Sequence, residues 1–521
     1  MNLNPIDLAV IAAYFAAIVL VGLRFARRQK TTDNYFLGDR NFPGWAIGLS
    51  FIGTTISSVT FIAYPADSFK TAWVRLLPNL AFPLVVTLAG LVFIPFFRSG
   101  RVRSAYHYLS LRFGAPVSIY AAWVYLFAQI VRTATITYLM AVLLASLSGL
   151  STGLCIIIAA GITAFYTVKG GFTAVVWTDV IQTVVLMAGA VICIGVIIHA
   201  IPGGLGGILT EAIQHGKMAL QDLDPMTGQL EPVRMGFSLS EKTAVMLVLV
   251  GVSQYIAGQL DQDTVQRWVS ARSSREARKS MVVLGFGALP VWGTFMFLGT
   301  CLWVYYQHFP AELATEVLNG SRKAEDILPY FIITVLPTGL TGLVISAALA
   351  AAMSSLSSSI NAFSMVWVND IYRPYMAPAK HDGHYLKAGR LTSLVMATLM
   401  AFGAWLLLIS STKTIMEMSI ILLALVGGGI SGAFLFGIMT RWGDARTVLI
   451  GIGATLAFTL YATLMQTGVL PRTFSPYYTS ILGNLVMFGT CLLAARIWPT
   501  EQRDLTDLTV WTRKSPPAKS E

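Results

Sequence analysis

The chain has 521 residues, 55% of them hydrophobic and 12% charged, at a mean hydropathy of +0.68. A soluble core does not absorb that much apolar surface, so the composition excludes a soluble enzyme and indicates a polytopic membrane protein. The formal net charge of +11 does not indicate nucleic acid, because the Lys and Arg residues gather in short connections between apolar runs, as cytoplasmic loops do.

Apolar runs of about 20 residues recur along the chain. Each is long enough to cross ~30 Å of hydrocarbon as a helix, where a barrel would show alternating strands of ~10 residues. The predicted fold is therefore all-α. The first run, near residues 6–23, carries Asp7 at its start and Arg24, Arg27, Arg28 and Lys30 after it, with no small-residue cleavage site, and reads as a retained helix. About thirteen spans are predicted, near residues 5–24, 43–69, 74–97, 117–148, 151–168, 173–199, 243–262, 280–306, 328–368, 386–410, 414–439, 446–467 and 475–497. The basic clusters Arg24 to Arg40, Arg98 to Arg112, Arg267 to Lys279, Arg373 to Arg390 and Arg441 to Arg446 fall on one side of that arrangement. They place the N-terminus outside and the C-terminus in the cytoplasm of a cell membrane. The tail after Trp498 reads as disordered and cytoplasmic. Cys155, Cys193, Cys301 and Cys491 lie in apolar runs and resemble neither a disulfide framework nor a zinc motif.

Residues 1–24 form an extra N-terminal helix, 446–497 two peripheral helices, 200–242 an extracellular loop and 498–521 the tail. What is left, 43–199 and 243–440, is two sets of five spans entered from opposite sides of the membrane, the arithmetic of an inverted repeat. In such folds the first helix of each repeat is broken near the midplane, which exposes backbone carbonyls and half-helix dipoles. Here those helices contain "FIGTTISSVTF" and "VGVSQYIAGQLDQD", both interrupted by glycine and polar residues.

Sodium is a hard cation satisfied by carbonyl and hydroxyl oxygens, so a membrane Na⁺ site needs unwound backbone facing a helix rich in Ser or Thr. In "AALAAAMSSLSSSINAF", Ser354, Ser355, Ser357 and Ser358 lie within about one turn, with Ser354 and Ser358 on one face. Close helix packing by small residues is the competing reading. Asp179, in "GGFTAVVWTDVIQ", lies ~9 Å along a helix from its start near Thr173. At that depth its carboxylate is an ion ligand or the partner of a cation, unless it is hydrated at the interface. Arg132 sits mid-span, where an unpaired charge costs at least ~2.5 kcal/mol. It needs an anion, either a substrate carboxylate gripped by the guanidinium fork or an internal carboxylate, of which Asp179 is the nearest by depth. "QDTVQRW" reads as a helix end at the inner face with Asp263 and Arg267 as an i,i+4 pair, and "HDGH", residues 381–384, as solvated loop. There is no phosphate loop of the G-x-x-x-x-G-K-S/T type, no H-E-x-x-H and no evident nucleophile–base pair, so the chain is not read as an enzyme.

"DNYFLG", "AVVWTDVIQ", "QDTVQR" and "AAAMSSLSSSIN", in that order over residues 5–497, resemble the sodium/solute symporter family, which includes the sodium-glucose cotransporters. "TTISSVTF" followed by "IVRTATITYL" is closer to its bacterial sialic acid branch. The resemblance implies a leucine-transporter-like inverted repeat of five plus five helices. It implies a principal sodium site from the Gly53, Ile56 and Ala351 carbonyls and the Ser354 and Ser355 hydroxyls. A second site would use Asp179, Ser354, Ser357 and Ser358. Substrate would meet Thr55, Ser57 and Thr60, with Arg132 on its carboxylate. Where that branch has an aromatic and a glutamine, this chain has Arg75 and Asn79, further candidates for substrate contact. The expectation is a monomeric symporter in the lipid bilayer that imports a small organic anion, sialic acid or a related acidic sugar. Na⁺ is its coupling ion, and it uses no cofactor and no nucleic-acid partner. A sodium/neutral-sugar symporter is the alternative substrate class. A substrate-gated channel or membrane sensor is the alternative of another kind.

Overall fold

The computed structural model describes residues 3–98, 102–223, 229–409, 429–498 and 504–512. The helices of the first half are α1 (Pro5–Ala26), α2 (Thr32–Leu37), α3 (Gly44–Thr55), α4 (Ser58–Lys70), α5 (Leu77–Leu80), α6 (Phe82–Phe97), α7 (Ala105–Phe113), α8 (Ala115–Ser148), α9 (Thr152–Ala200) and α10 (Gly204–Gln214). Those of the second half are α11 (Ala244–Gln259), α12 (Gln262–Ser270), α13 (Ser274–His308), α14 (Glu312–Leu318), α15 (Ile327–Thr334), α16 (Leu340–Val366), α17 (Asp382–Ile409), α18 (Ile430–Met439), α19 (Ala445–Gln466) and α20 (Thr479–Ile497). Between α10 and α11, strands Gln221–Leu223 and Leu230–Pro232 pair antiparallel. Among the described residues nine helices are long and apolar enough to cross a bilayer, and two bent pairs raise the number to as many as eleven. The predicted span 414–439 lies outside the described residues as far as 428; Gly429 is the N-cap and Ile430–Met439 form α18.

The bent pairs are the two helices expected to be broken. α3 and α4 meet at 59°, and α11 and α12 at 55°. At the first break Ile56 (φ −94°, ψ 92°) and Ser57 (φ −87°, ψ 175°) are extended. Thr54, Thr55 and Ile56 are three consecutive β-branched residues, whose restricted rotamers weaken the helix where it opens. At the second break Asp261 is the N-cap of α12, and Thr264 Oγ1 donates to the orphaned Gly258 carbonyl at 2.7 Å.

α9 merges the predicted spans 151–168 and 173–199. Its 49 residues correspond to roughly 74 Å of helix, more than twice the hydrocarbon thickness. Gly171 breaks it at φ 59°, ψ −161°, where an added Cβ would lie 2.8 Å from the Tyr35 carbonyl. α16 is almost wholly enclosed, because its Ala and Ser side chains let neighbouring helices approach closely. Asp7, at the start of α1, accepts the Gly339 and Gly342 N–H groups at 2.7 and 2.8 Å and so caps the start of α16. The two helices therefore begin on the same side of the membrane.

Two expectations about loops are corrected. Arg267 and Arg112, counted with the basic loops, are both buried. Arg112 donates to the Gly437, Thr440, Trp442 and Gly443 carbonyls at 2.7–3.2 Å and caps the end of α18. The tail is not uniformly disordered. Residues 504–512 fold back on α7 and α18: Tyr108 donates to Leu508 O at 2.9 Å, Val510 N to Ile438 O at 2.9 Å and the Trp511 indole to Met439 O at 2.7 Å. Leu508 is an apolar anchor that a mainly polar composition hides.

Candidate ion and substrate sites

The end of α3 presents carbonyls that no longer have helical donors, and the serine face of α16 lies against them. Ser354 Oγ is 2.7 Å from Gly53 O and 3.2 Å from Ala351 O, and Ser355 Oγ is 3.2 Å from Thr54 O. Ile56 follows directly, with its carbonyl in the extended segment. Four of the five predicted oxygens of the first sodium site thus share one point of contact between α3 and α16, and Ile56 adjoins it. Gly53 also lets α3 lie close against α9, since a Cβ there would lie 2.5 Å from Thr183 Oγ1 and 3.2 Å from Asp179 O.

One turn away lies Asp179, fully buried. Its Oδ2 accepts from Ser50 Oγ at 2.6 Å and from Arg267 Nη2 at 2.9 Å, with Thr54 and Ser358 hydroxyls at 3.4 Å. Its Oδ1 has no hydrogen-bond partner among the described residues. Arg267 also donates to Thr54 Oγ1 at 2.6 Å, Ser358 Oγ at 2.7 Å and Ser50 Oγ at 3.0 Å, so one guanidinium ties α12 to α3, α9 and α16. Phe51 and Phe172 face it with ring centroids at 5.3 and 5.9 Å. Of the second predicted sodium site, Asp179 and Ser358 come together. Ser357 turns its hydroxyl back to Ser354 O at 3.2 Å.

The expected Asp263–Arg267 side-chain pair does not form. Within α12 the Arg267 side chain is directed at Asp179 on α9 and that of Asp263 at Tyr125 and Gln129 on α8, so Arg267 reaches Asp263 at its main-chain carbonyl alone, at 3.0 Å. Asp263 instead accepts from Tyr125 OH at 3.1 Å and Gln129 Nε2 at 3.3 Å, and lies 3.6 Å from Arg132 Nη1. The carboxylate nearest Arg132 is therefore Asp263, not Asp179. Arg132 lines a cavity of about 920 Å³ together with Tyr125, Gln129, Gln254 and Asp261.

Of the six residues proposed for substrate, only Arg132 lines that cavity. Thr55 and Ser57 lie in and beside the break of the first helix, and Thr60 is buried on α4. Arg75 is ion-paired with Asp67, a residue the sequence reading passed over, and its guanidinium lies 5.1 Å from the Tyr64 ring centroid. Asn79 donates to Tyr64 OH at 2.9 Å and accepts from Tyr255 OH, which joins the first repeat to α11. Arg75 is therefore a neutralised cation. The signal for the missed partners was present: Ser50 and Thr54 fall one helical turn apart, and "QDTVQR" is too polar for an apolar stretch unless its side chains have internal partners.

The sequence profile of the Sodium:solute symporter family matches residues 35–452. The chain belongs to that family. It is 31% identical over 509 residues to the Sodium/sialic acid symporter SiaT of Proteus mirabilis (strain HI4320), covering 96% of this chain and 97% of that protein. It is 30% identical over 466 residues to the Sodium/sialic acid symporter NanT of Aliivibrio fischeri (strain ATCC 700601 / ES114), with 88% of each covered. A solved structure of a Na⁺-coupled sialic acid symporter, substrate-bound and outward-open with a novel Na⁺ site, matches at 30% identity and a TM-score of 0.84 over 95% of this chain and 98% of that one. This family member thus has the leucine-transporter-like fold of a multi-pass membrane symporter and is a transporter rather than an enzyme.

Proposed function

We propose that the chain couples inward Na⁺ flow to the import of a monoanionic acidic sugar, sialic acid or a close relative. The observation that carries this reading is the contact of the Ser354 and Ser355 hydroxyls with the Gly53 and Thr54 carbonyls at the α3–α4 break, an all-oxygen, hard-ligand environment suited to Na⁺. The first ion would be held by Gly53, Ile56, Ala351, Ser354 and Ser355. The second would use Asp179, whose Oδ1 is unpartnered among the described residues, with Ser354, Ser357 and Ser358. Thr55, Ser57 and Thr60 would meet the substrate, and Arg132 its carboxylate, with Arg75 and Asn79 further out. The chain would act as a monomer with its N-terminus outside.

Arg132 supports an acid because its internal partner is 3.6 Å away, too long for a direct hydrogen bond and loose enough to yield to a bidentate carboxylate. The same pairing favours a second reading, a neutral sugar, since an arginine with an internal carboxylate needs no anion from the substrate. A thermal-shift titration of the purified protein with sialic acid, glucose and galactose, each with and without Na⁺, separates the two. Sialic acid should stabilise only with Na⁺, and Arg132→Ala should abolish the shift. Stabilisation by a neutral sugar alone would overturn the acid reading.

A further inference from the structure

A second cavity, about 520 Å³, opens on the side of the basic loops, cytoplasmic in the proposed orientation. Arg40, Arg103 and Arg373 line it, contributed by the α2–α3 turn, the approach to α7 and the helical extension Trp367–Met376 of α16. Basic loops are ordinary on this face; convergence of three of their arginines on one cavity is not. None of the three is ion-paired among the described residues. The wall also holds two acids, Asp33, which is exposed, and Asp382, which accepts from Thr32 N at 2.9 Å and Thr32 Oγ1 at 2.5 Å; neither is ion-paired with the three arginines, and three cations against two carboxylates leave the wall with an excess of positive charge. Arg40 is presented by two consecutive left-handed residues, Asp39 (φ 58°) and Arg40 (φ 54°), neither of them glycine. Such backbone persists only where the surroundings over-determine it. Here Asn34 bonds the Asp39 carboxylate, and Phe42 pairs with the segment that ends α12, donating to Ser270 O and accepting from Arg272 N.

The cavity also continues the proposed ion pathway. Met365 and Asn369, in its wall, follow Ser358 by seven and eleven residues on the same face of the helix, so the cavity begins ~10 Å along the axis from the serine cluster. Between them lies a thin seal: Gln266 Nε2 donates to Phe36 O and Asn361 Oδ1, both at 2.6 Å, and Gln262 Nε2 lies 3.2 Å from Met365 Sδ. Both glutamines belong to α12, the half-helix that carries Arg267. Movement of α12 away from α16 would open the seal into an arginine-lined space.

We propose that this cavity is a release-side oxyanion site, in which Arg40, Arg103 and Arg373 receive the carboxylate of the transported acid after it leaves the centre of the protein. The identity of that ligand rests on the acid-import reading; the oxyanion chemistry does not. Three guanidinium groups suit a carboxylate or a phosphate, and an anionic lipid headgroup offers the same chemistry.

The full-length protein in nanodiscs, which leave both faces accessible, tests this by phenylglyoxal labelling of the three arginines, read by peptide mass spectrometry. Millimolar sialic acid and inorganic phosphate should each slow labelling severalfold in phosphatidylcholine discs. Protection that depends on phosphatidylglycerol and not on added acid would assign a lipid site and overturn the proposal. Protection by neither anion, or by phosphate without sialic acid, would overturn it too. In proteoliposomes, Arg103→Gln with Arg373→Gln should raise the KM for efflux about tenfold, well beyond any change in the KM for uptake, and an unaltered efflux KM would count against release through this cavity. Wild-type uptake of sialic acid in the same vesicles reads the import function separately, so a failure of that function is not mistaken for a failure of the cavity.

Discussion

At the scale of single residues, the centre of the protein is organised by one ion pair. Asp179 and Arg267 are both buried, and a pair in that setting is a modest net stabiliser, since the desolvation of two charges offsets much of their attraction. Removing one partner is different, because the other is left uncompensated. Asp179→Asn should therefore lower stability by about 3–5 kcal/mol, and adding Arg267→Gln should recover a large part of it, read as a double-mutant cycle of unfolding in detergent. Additive losses would show that the two charges do not depend on each other. Gly53→Ala and Ser354→Ala probe the neighbouring oxygens. Ser354→Ala removes an oxygen shared by both proposed ions and should collapse Na⁺-driven uptake while the protein still reaches the membrane. Gly53→Ala pushes α3 off Thr183, whose Oγ1 would lie 2.5 Å from the new Cβ; a loss of about 1.4 kcal/mol in ion binding would appear as a tenfold higher Na⁺ concentration needed for half-maximal uptake. Normal Na⁺ dependence in both variants would leave the serine face as packing alone. The donors at this centre were legible in the sequence because depth in the bilayer makes a carboxylate or a serine run conspicuous. Their partners were not, since Arg267 sits on a short, polar half-helix that reads as a helix end at the inner face, with Asp263 as a nearer partner at i,i+4.

At the scale of elements, a broken helix needs its free end held, and α4 is held from outside by Lys217. Its Nζ donates to the Phe69 and Thr71 carbonyls at 2.8 and 2.5 Å and lies 5.1 Å from the Trp303 ring centroid, supplying the donor that the last carbonyls of a helix lack. Lys217→Met would leave those carbonyls without their donor, at a cost of about 1.5–3 kcal/mol. Burial pushes the Lys217 amine down to about 7. Its folded pKa is therefore below its unfolded value of ~10.4, and between these limits the unfolded chain binds the proton that the folded chain has lost. Stability should then rise with pH from about 7 toward 10, a slope that Lys217→Met should lack; parallel melting curves of the two proteins across this window would refute the assignment. Nothing in the sequence around Lys217 marks this role, because the lysine lies in a loop about 150 residues from the helix it caps. The two breaks were legible, each from glycine and polar residues inside an apolar run. The docked segment 504–512 was not, its few apolar anchors being diluted by a polar tail.

At the scale of the whole molecule, hydropathy and the charge of the loops give the layered, two-repeat plan. They leave the cavities unread, since a cavity is made by helices distant in sequence. The same plan sets the energetics of transport. A tenfold Na⁺ gradient supplies ~1.4 kcal/mol and a 100 mV potential ~2.3 kcal/mol per charge, so one ion carrying a neutral solute has about 3.7 kcal/mol available. A monoanion cancels the charge of a single Na⁺. The voltage contribution then vanishes, and only ~1.4 kcal/mol, roughly tenfold accumulation, remains. A second Na⁺ restores one net positive charge and gives about 2.8 kcal/mol from the gradients plus ~2.3 from the potential. Asp179 is where that ion would bind, and Arg267, already on its Oδ2, leaves Oδ1 as the available oxygen. Import of the acid into proteoliposomes should accordingly be electrogenic and should speed up under an inside-negative potential set with valinomycin. In Asp179→Asn the Na⁺ Hill coefficient should fall toward one, or uptake should lose its sensitivity to voltage. Because the unmutated protein must move net charge in this scheme, uptake of a monoanion that is indifferent to the imposed potential would exclude the second ion and leave Asp179 solely as the counterion of Arg267.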